Sequence, residues 1–350
     1  FDPLNWTSQR IPGYIEEMDV ALSKFKGVVA QLHKNAAMIE EAVQSIASAR
    51  LVNEGHFRSR IGTTGALDVM EMYEILEQTR ISSLDVLVQQ YDTIGESFLM
   101  KVEEVVAKTA TGANPALAAY YHYWERRIYN AIAEMIVASM ATLMGLLQAK
   151  TSNFMPICKV MATLNGKELV VTPTLTEVGK VITKAVRHIA ESAKHFVRWM
   201  HGTCIKTEPQ MVSEDEEPFI FSFYQDISQN PQVIKLTLSI TQQMHKVFSI
   251  TNKYLEGWRR YDKVFGLWNP KRKQQVDSLN PTCSNLDQAM AYFSGIKETV
   301  RLQPSMKDID FLHIDCEPVA TGIVNQAEIW KQDYGEVLQR TSRELLQTML

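Results

Sequence analysis

Apolar residues recur through most of this chain at steps of three and four. From 15 to 46 the pattern is unbroken. Ile15, Leu22, Val29, Ala36 and Val43 alternate with Met18, Phe25, Leu32, Ile39 and Ile46. Such a run predicts one long helix with a narrow seam, packed at a shallow angle on a neighbour. At 1.5 Å per residue it is about 50 Å long. A two-chain coiled coil would want opposite charges beside the seam. Val28, Asn35, Ala42 and Ala47 supply none, which favours an intramolecular bundle over a zipper.

The pattern breaks at 55–65 and resumes over 67–106, with Leu84, Val88, Tyr91, Phe98, Val102 and Val105 on one face. After a loop at 109–115, a third helix spans 116–148. Its residues Tyr121, Trp124 and Ile128 share a face and read as bulky core anchors rather than a ligand box. Its apolar part, 131–147, is shorter than the roughly 20 residues a membrane span needs, so it reads as a buried bundle helix.

The period then changes to two. Apolar runs flank Asn165-Gly166, the dipeptide that most strongly signals a hairpin. An isolated hairpin is marginal in water, so this one must lie against the bundle or extend a small sheet. Thr174 and Glu177 form a capping box, opening a helix that carries Val178, Ile182, Ala185, Ile189, Ala193, Phe196 and Met200. The acidic stretch 213–218 is the best boundary candidate.

Asn230-Pro231 starts a helix that leads to Trp258, Tyr261 and Phe265, spaced on one face and read as core anchors. Trp268 closes that helix, and Asn269-Pro270 ends it. Asn285 with Gln288 caps the next, which Pro304 ends. Pro318 opens another, bearing Val319, Ile323, Ala327, Trp330 and Tyr334, with Trp330 a further anchor. The fold class expected is mainly α: an elongated series of helical bundles with one small β-hairpin. The expected divisions are a long-helix bundle at 1–150, a hairpin plus helix at 151–212, and a helical bundle at 213–350.

Composition adds little that is specific. The chain has 350 residues, 45% hydrophobic and 22% charged, with net charge −4. There is no basic excess to point to nucleic acid. Cys158, Cys204, Cys283 and Cys316 are widely spaced, which suits reduced thiols in the cytoplasm. His188 and His195 share a helix face but lie about 10 Å apart along its axis, too far to hold one ion, even with His201 and Cys204 just beyond. Gly166-Lys167 lacks the glycine spacing of a phosphate loop. No catalytic residue, cofactor site or metal site is expected. The basic residues Arg259, Arg260, Lys271, Arg272 and Lys273 are the candidate contact for an acidic partner. The alternative is a solvated face, since Asp262 and Asp277 are near.

Several blocks, in order, carry a family resemblance. They are Y-Y-H-Y-W-E-R-R at 120–127, the hairpin-to-helix segment through Val171-Thr172-Pro173-Thr174 to Trp199, and F-I-F-S-F-Y-Q-D-I-S at 219–228. W-R-R-Y-D-K-V-F-G-L-W at 258–268 and F-L-H-I-D-C-E-P-V-A at 311–320 follow, then D-Y-G-E-V-L at 333–338. Together they resemble the N-terminal tail, or stem, of dynein heavy chains, most like axonemal outer-arm chains. The resemblance implies a structural segment, not an enzyme in itself, with the motor's ATPase outside it and 213–350 leading toward the motor linker. It implies assembly with dynein intermediate chains, light chains and other heavy chains, and docking on axonemal doublet microtubules. The location implied is the cytoskeleton of a cilium or flagellum, with no membrane. A generic α-helical scaffold or adaptor of α-solenoid type is the alternative, because the periodicity alone does not select a motor.

Overall fold

The structure, a computed structural model, describes residues 10–95, 102, 104, 115–149, 154–200, 203–204, 221–263, 266–269, 271–272 and 282–349. In chain order come α1 (Ile11–Ser48), α2 (Glu54–Thr64), α3 (Val69–Thr93) and α4 (Pro115–Leu146). A hairpin of β1 (Cys158–Asn165) and β2 (Glu168–Thr172) precedes α5 (Leu175–Glu191). Then follow β3 (Trp199–Met200), β4 (Thr203–Cys204), α6 (Tyr224–Ser228), α7 (Pro231–Lys263) and α8 (Cys283–Leu302). Strands β5 (Met306–Ile309) and β6 (Leu312–Asp315) lead into α9 (Glu317–Met349). The fold is mainly α with a small β element, as expected. The acidic stretch 213–218, and also Phe98, Val105, His201, Phe265, Pro270, Lys273 and Asp277, lie outside the described residues.

The chain forms two compact units. One comprises Phe1–Val52, Glu77–Ala141 and Val186–Leu236; the other comprises Asn53–Leu76, Thr142–Ala185 and Thr237–Leu350.

In the first unit, α1 buries only one end of its seam. Asn35, Ile39, Val43 and Ile46 are enclosed, whereas Tyr14, Ile15, Met18, Leu22 and Phe25 are exposed, Phe25 by 65%. The expected intramolecular packing therefore holds for the C-terminal half alone. The turn after α1 is fixed on α4 by the buried Ser139, whose hydroxyl accepts from the Leu51 N–H (2.9 Å) and donates to the Met135 carbonyl (2.7 Å). By length and composition α4 could cross a membrane. Here it is a core helix, with Ile132, Met135, Ile136 and Met140 fully enclosed.

The helix expected to reach Met200 stops earlier. It ends at Glu191, and a 3₁₀ turn, Ser192–His195, follows. The hydroxyl of Ser192 donates to the His188 carbonyl (2.9 Å) and accepts from Arg80 (3.3 Å). Such side-chain bonds compete with the helical ladder. Phe196 then packs edge-on against Tyr91, ring centroids 5.3 Å apart. The Tyr91 hydroxyl donates to the Val197 carbonyl, and Trp199–Met200 pairs with Thr203–Cys204.

The second unit is built on a four-stranded sheet, order β2-β1-β6-β5. The Asn165-Gly166 signal does produce a hairpin, but Asn165 pairs with Glu168. The central residues are thus Gly166 and Lys167, one position later than the dipeptide predicts. Gly166 has φ +62°, which a two-residue turn requires of its first central residue. The sheet continues beyond this hairpin, the second of the two placements expected for it, through two strands that the sequence pattern did not mark. Strand β6 runs parallel to β1, Cys158 opposite Leu312 and Met161 opposite Asp315, and antiparallel to β5. The β5–β6 turn places Asp310 at φ +48°, a conformation Asp tolerates better than most residues. Its carboxylate accepts from the Ala149 N–H (3.0 Å) and from Gln243 Nε2 (3.1 Å).

Cys158, Val160 and Ala162 point from β1 into the core. Helix α9 passes close to that strand at Gly322, where a Cβ would fall 2.7 Å from Leu164 Cδ1. A side chain at 322 would force the Leu164 methyl to shift. Two further expectations are corrected. The supposed break at 55–65 is α2: Asn53 caps it by accepting from the Gly55 N–H (2.9 Å), and Phe57 and Ile61 bury one face. The cap of α8 is Thr282, accepting from the Asn285 N–H (3.3 Å), rather than Asn285 itself.

Candidate interaction surface

The basic residues and most of the aromatic anchors belong to the second unit, around the end of α7. Trp258 and Tyr261, three apart, both turn inward with at most 2% exposed. Their rings lie 6.1 Å apart, and the Tyr261 hydroxyl donates to Gln303 Oε1 (3.0 Å). The helix ends at Lys263, before Trp268; Trp268 sits half-buried in the turn that follows. Leu267 in that turn is fully buried, and its carbonyl accepts from Trp330 Nε1 (2.6 Å). The remaining anchors, Tyr121 and Trp124, are buried in the first unit, where the Tyr123 and Trp124 rings meet edge-on at 5.1 Å.

The basic residues divide by environment. Arg260 and Lys271 are exposed, Arg260 with its guanidinium 5.8 Å from the Tyr261 ring centre. Arg259 lies 3.7 Å from Glu256 Oε1. Arg272 faces inward instead. It donates to the Gly266 carbonyl (3.1 Å) and lies over both Phe293 (5.1 Å) and Trp330 (5.9 Å). A guanidinium between two aromatic faces is held by the ring quadrupoles and by packing of its stem. Its role is to clamp the turn onto α8 and α9. No local signal marks it, because its rings come from residues far along the chain.

Beside this turn is a cleft of about 280 Å³, lined by Leu164, Lys167, Trp258, Arg259, Trp268 and Ile323, among others. Its two cations, Lys167 and Arg259, share the lining with the Glu168 carboxylate beside the two indoles, so the cleft is mixed in charge.

Elsewhere the reactive side chains are structural. Among the described residues, no three His, Cys, Asp or Glu side chains converge to hold a metal. His188 Nδ1 instead meets Glu77 Oε2 at 3.0 Å. Burial works against the Glu77 carboxylate, but hydrogen bonds from Arg80 and His188 outweigh it and hold the carboxyl below its ordinary value. Burial, reinforced by Asp68, pushes the Cys158 thiol up to about 12. Burial likewise pushes Cys316 up to about 11. Such thiols are packing groups, not nucleophiles.

Comparison with known proteins adds what the geometry does not. No protein-family model matches the chain. It is 34% identical over 354 residues to the dynein-1-alpha heavy chain of the flagellar inner arm I1 complex of Chlamydomonas reinhardtii, covering 99% of this chain and 7% of that one. It is 33% identical to dynein axonemal heavy chain 10 of Homo sapiens, covering 98% of this chain and 8% of the relative. To the gamma chain of the Chlamydomonas reinhardtii flagellar outer arm it is 19% identical over 97% of its length. The likeness is therefore stronger to the inner-arm chain than to the outer-arm chain, which reverses the leaning of the aromatic block at 120–127. The chain spans less than a tenth of the length of these relatives.

Proposed function

The chain is homologous to axonemal dynein heavy chains over nearly its whole length, and from that premise we propose that it is a tail segment of such a chain, working by assembly. In this reading it holds intermediate chains, light chains and neighbouring heavy chains, and helps anchor the motor to doublet microtubules. The ATPase lies elsewhere in the full chain. The homology carries the proposal. The end of α7 supports it, since exposed Arg260 and Lys271 and the cleft beside Arg259 offer contact rather than chemistry.

The test is co-expression of the chain with dynein intermediate and light chains, then pull-down across a salt series. A subunit should be retained at low salt and lost as salt rises, because exposed charge contacts are screened. Reversal of Arg259, Arg260 and Lys271 to glutamate should weaken retention at every salt concentration. Failure to retain any subunit at low salt overturns the assembly role. Retention indifferent to the reversals moves the contact to another surface.

A further inference from the structure

The edges of the sheet differ in how they are guarded. In the order β2-β1-β6-β5, strands β2 and β5 each have a strand on one side only among the described residues. Strand β5 carries charges that are already engaged. Lys307 lies over the Tyr254 ring at 5.2 Å, and Asp308 meets His313 Nδ1 at 2.6 Å. Charges on an edge discourage further pairing. Strand β2 has no such guard across Leu169, Val170 and Val171, and Val170 is 39% exposed.

The hairpin register fixes which backbone groups face outward. Asn165 and Glu168 close the turn and exchange both hydrogen bonds, so Val170, opposite Thr163, and Thr172, opposite Met161, also bond inward. Leu169 and Val171 alternate with them, and their N–H and C=O groups point away from β1. Their side chains share the face on which Leu164 meets α9 at Gly322. On that face Leu169 borders the cleft that Trp258 and Trp268 also line. A strand laid beside β2 therefore directs the side chain opposite Leu169 into the cleft.

We propose that β2 accepts an extended segment of a partner protein as a further strand, antiparallel to it. Main-chain hydrogen bonds at Leu169 and Val171 hold this segment, and the cleft selects its side chain. The residue opposite Leu169 is aromatic, because indole walls and the cations Lys167 and Arg259 favour a π face. The next residue lies opposite Glu168 and is basic, since opposite charges across a strand pair attract. The residue two before the aromatic one lies opposite Val171 and is β-branched. The site stands whether or not the exposed basic residues retain a dynein subunit, because backbone pairing holds it rather than surface charge.

The test is fluorescence anisotropy of the labelled peptide S-T-V-T-F-K-S, titrated with the 350-residue chain up to about 1 mM. Half-saturation is expected between about 10 and about 300 µM, as suits a short flexible ligand. N-methylation at F and V removes the N–H groups that reach Leu169 and Val171, and should weaken binding roughly tenfold. N-methylation at K and the T before F, whose N–H groups face away, should leave it unchanged. F→D in the peptide should weaken binding about tenfold. Val171→Pro removes an outward N–H without touching the β1 ladder. It should weaken binding about tenfold at an unchanged melting temperature. No binding at the highest concentration overturns the proposal. Equal losses from both methylation patterns overturn strand addition, and binding indifferent to Val171→Pro overturns the choice of edge. Sedimentation of the chain alone completes the test: a dimer that Val171→Pro abolishes gives this edge to a second copy and overturns a foreign partner.

Discussion

Trp330 donates its indole N–H to the carbonyl of Leu267, 2.6 Å away and 63 residues earlier in the chain. Both residues are buried, so that carbonyl depends on this donor. Trp330→Phe keeps the ring and removes the donor, and should cost about 1–3 kcal/mol. Trp330→Ala also removes the ring and should cost about 3–5 kcal/mol. Urea denaturation of both variants tests the relation. A Phe variant as stable as the parent would mean the carbonyl finds another donor.

Arg272 and Lys271 are neighbours in sequence with opposite expectations. Arg272→Ala removes a hydrogen bond and contact with two rings, and should destabilise by about 1–3 kcal/mol. Arg272→Lys should not rescue it, because an ammonium lacks the planar fork. Lys271→Glu should change stability by less than about 0.5 kcal/mol. Equal melting temperatures for all three would contradict the inward placement of Arg272.

At Gly166, φ is +62°. Gly166→Val should cost about 1 kcal/mol or more, since a β-branched residue enters that region only under strain. Gly166→Asn should be tolerated better. Thermal melts that rank valine no worse than asparagine would show that the turn has another form.

Cys158 and Cys316 should resist alkylation in the native protein at pH 8, being buried and scarcely ionised. The half-buried Cys283 should label before either. Peptide mapping after iodoacetamide, with and without denaturant, decides this. Rapid native labelling of Cys158 would show that β1 opens.

Glu77 ties stability to pH. Its folded carboxyl titrates below the ordinary range, while the unfolded chain takes up that proton near pH ~4.3. Its stabilising contribution is therefore complete above that point and lost as pH falls through the lower folded value. Glu77→Gln should be less stable than the parent at pH 7, and the gap should narrow below about pH 4. A gap unchanged from pH 7 to pH 3, read from urea midpoints, would show that the carboxylate's charge contributes nothing.

Local signals translated directly into structure. The capping box closes as its spacing dictates, with the Glu177 N–H on Thr174 Oγ1 (3.2 Å) and the Thr174 N–H on Glu177 Oε2 (2.8 Å). The inward side of β1 follows from its alternation. Non-local facts were not legible. The seam of α1 shows which face is apolar, but whether anything covers that face depends on residues elsewhere. The β5–β6 hairpin has four-residue strands and a turn through Asp310 and Phe311, so no Asn-Gly or Asp-Gly marks it. Gly55, Gly62 and Gly65 masked α2, because glycine content outweighed the burial of Phe57 and Ile61. Arg272 read as surface charge because its partners, Phe293 and Trp330, are remote in sequence.

The parallel pairing of Cys158 with Leu312 also sets a schedule for synthesis. Ribosomes deliver about 5–20 residues per second. The β1–β2 hairpin therefore leaves the ribosome about 7–28 seconds before β6 exists to cover its open edge. Through that interval Val160 and Ala162 have no completed sheet to enter, and the nascent chain offers an apolar strand to whatever is nearby. Translation speed and chaperone supply over 158–312 thus govern how much of this segment reaches its folded form.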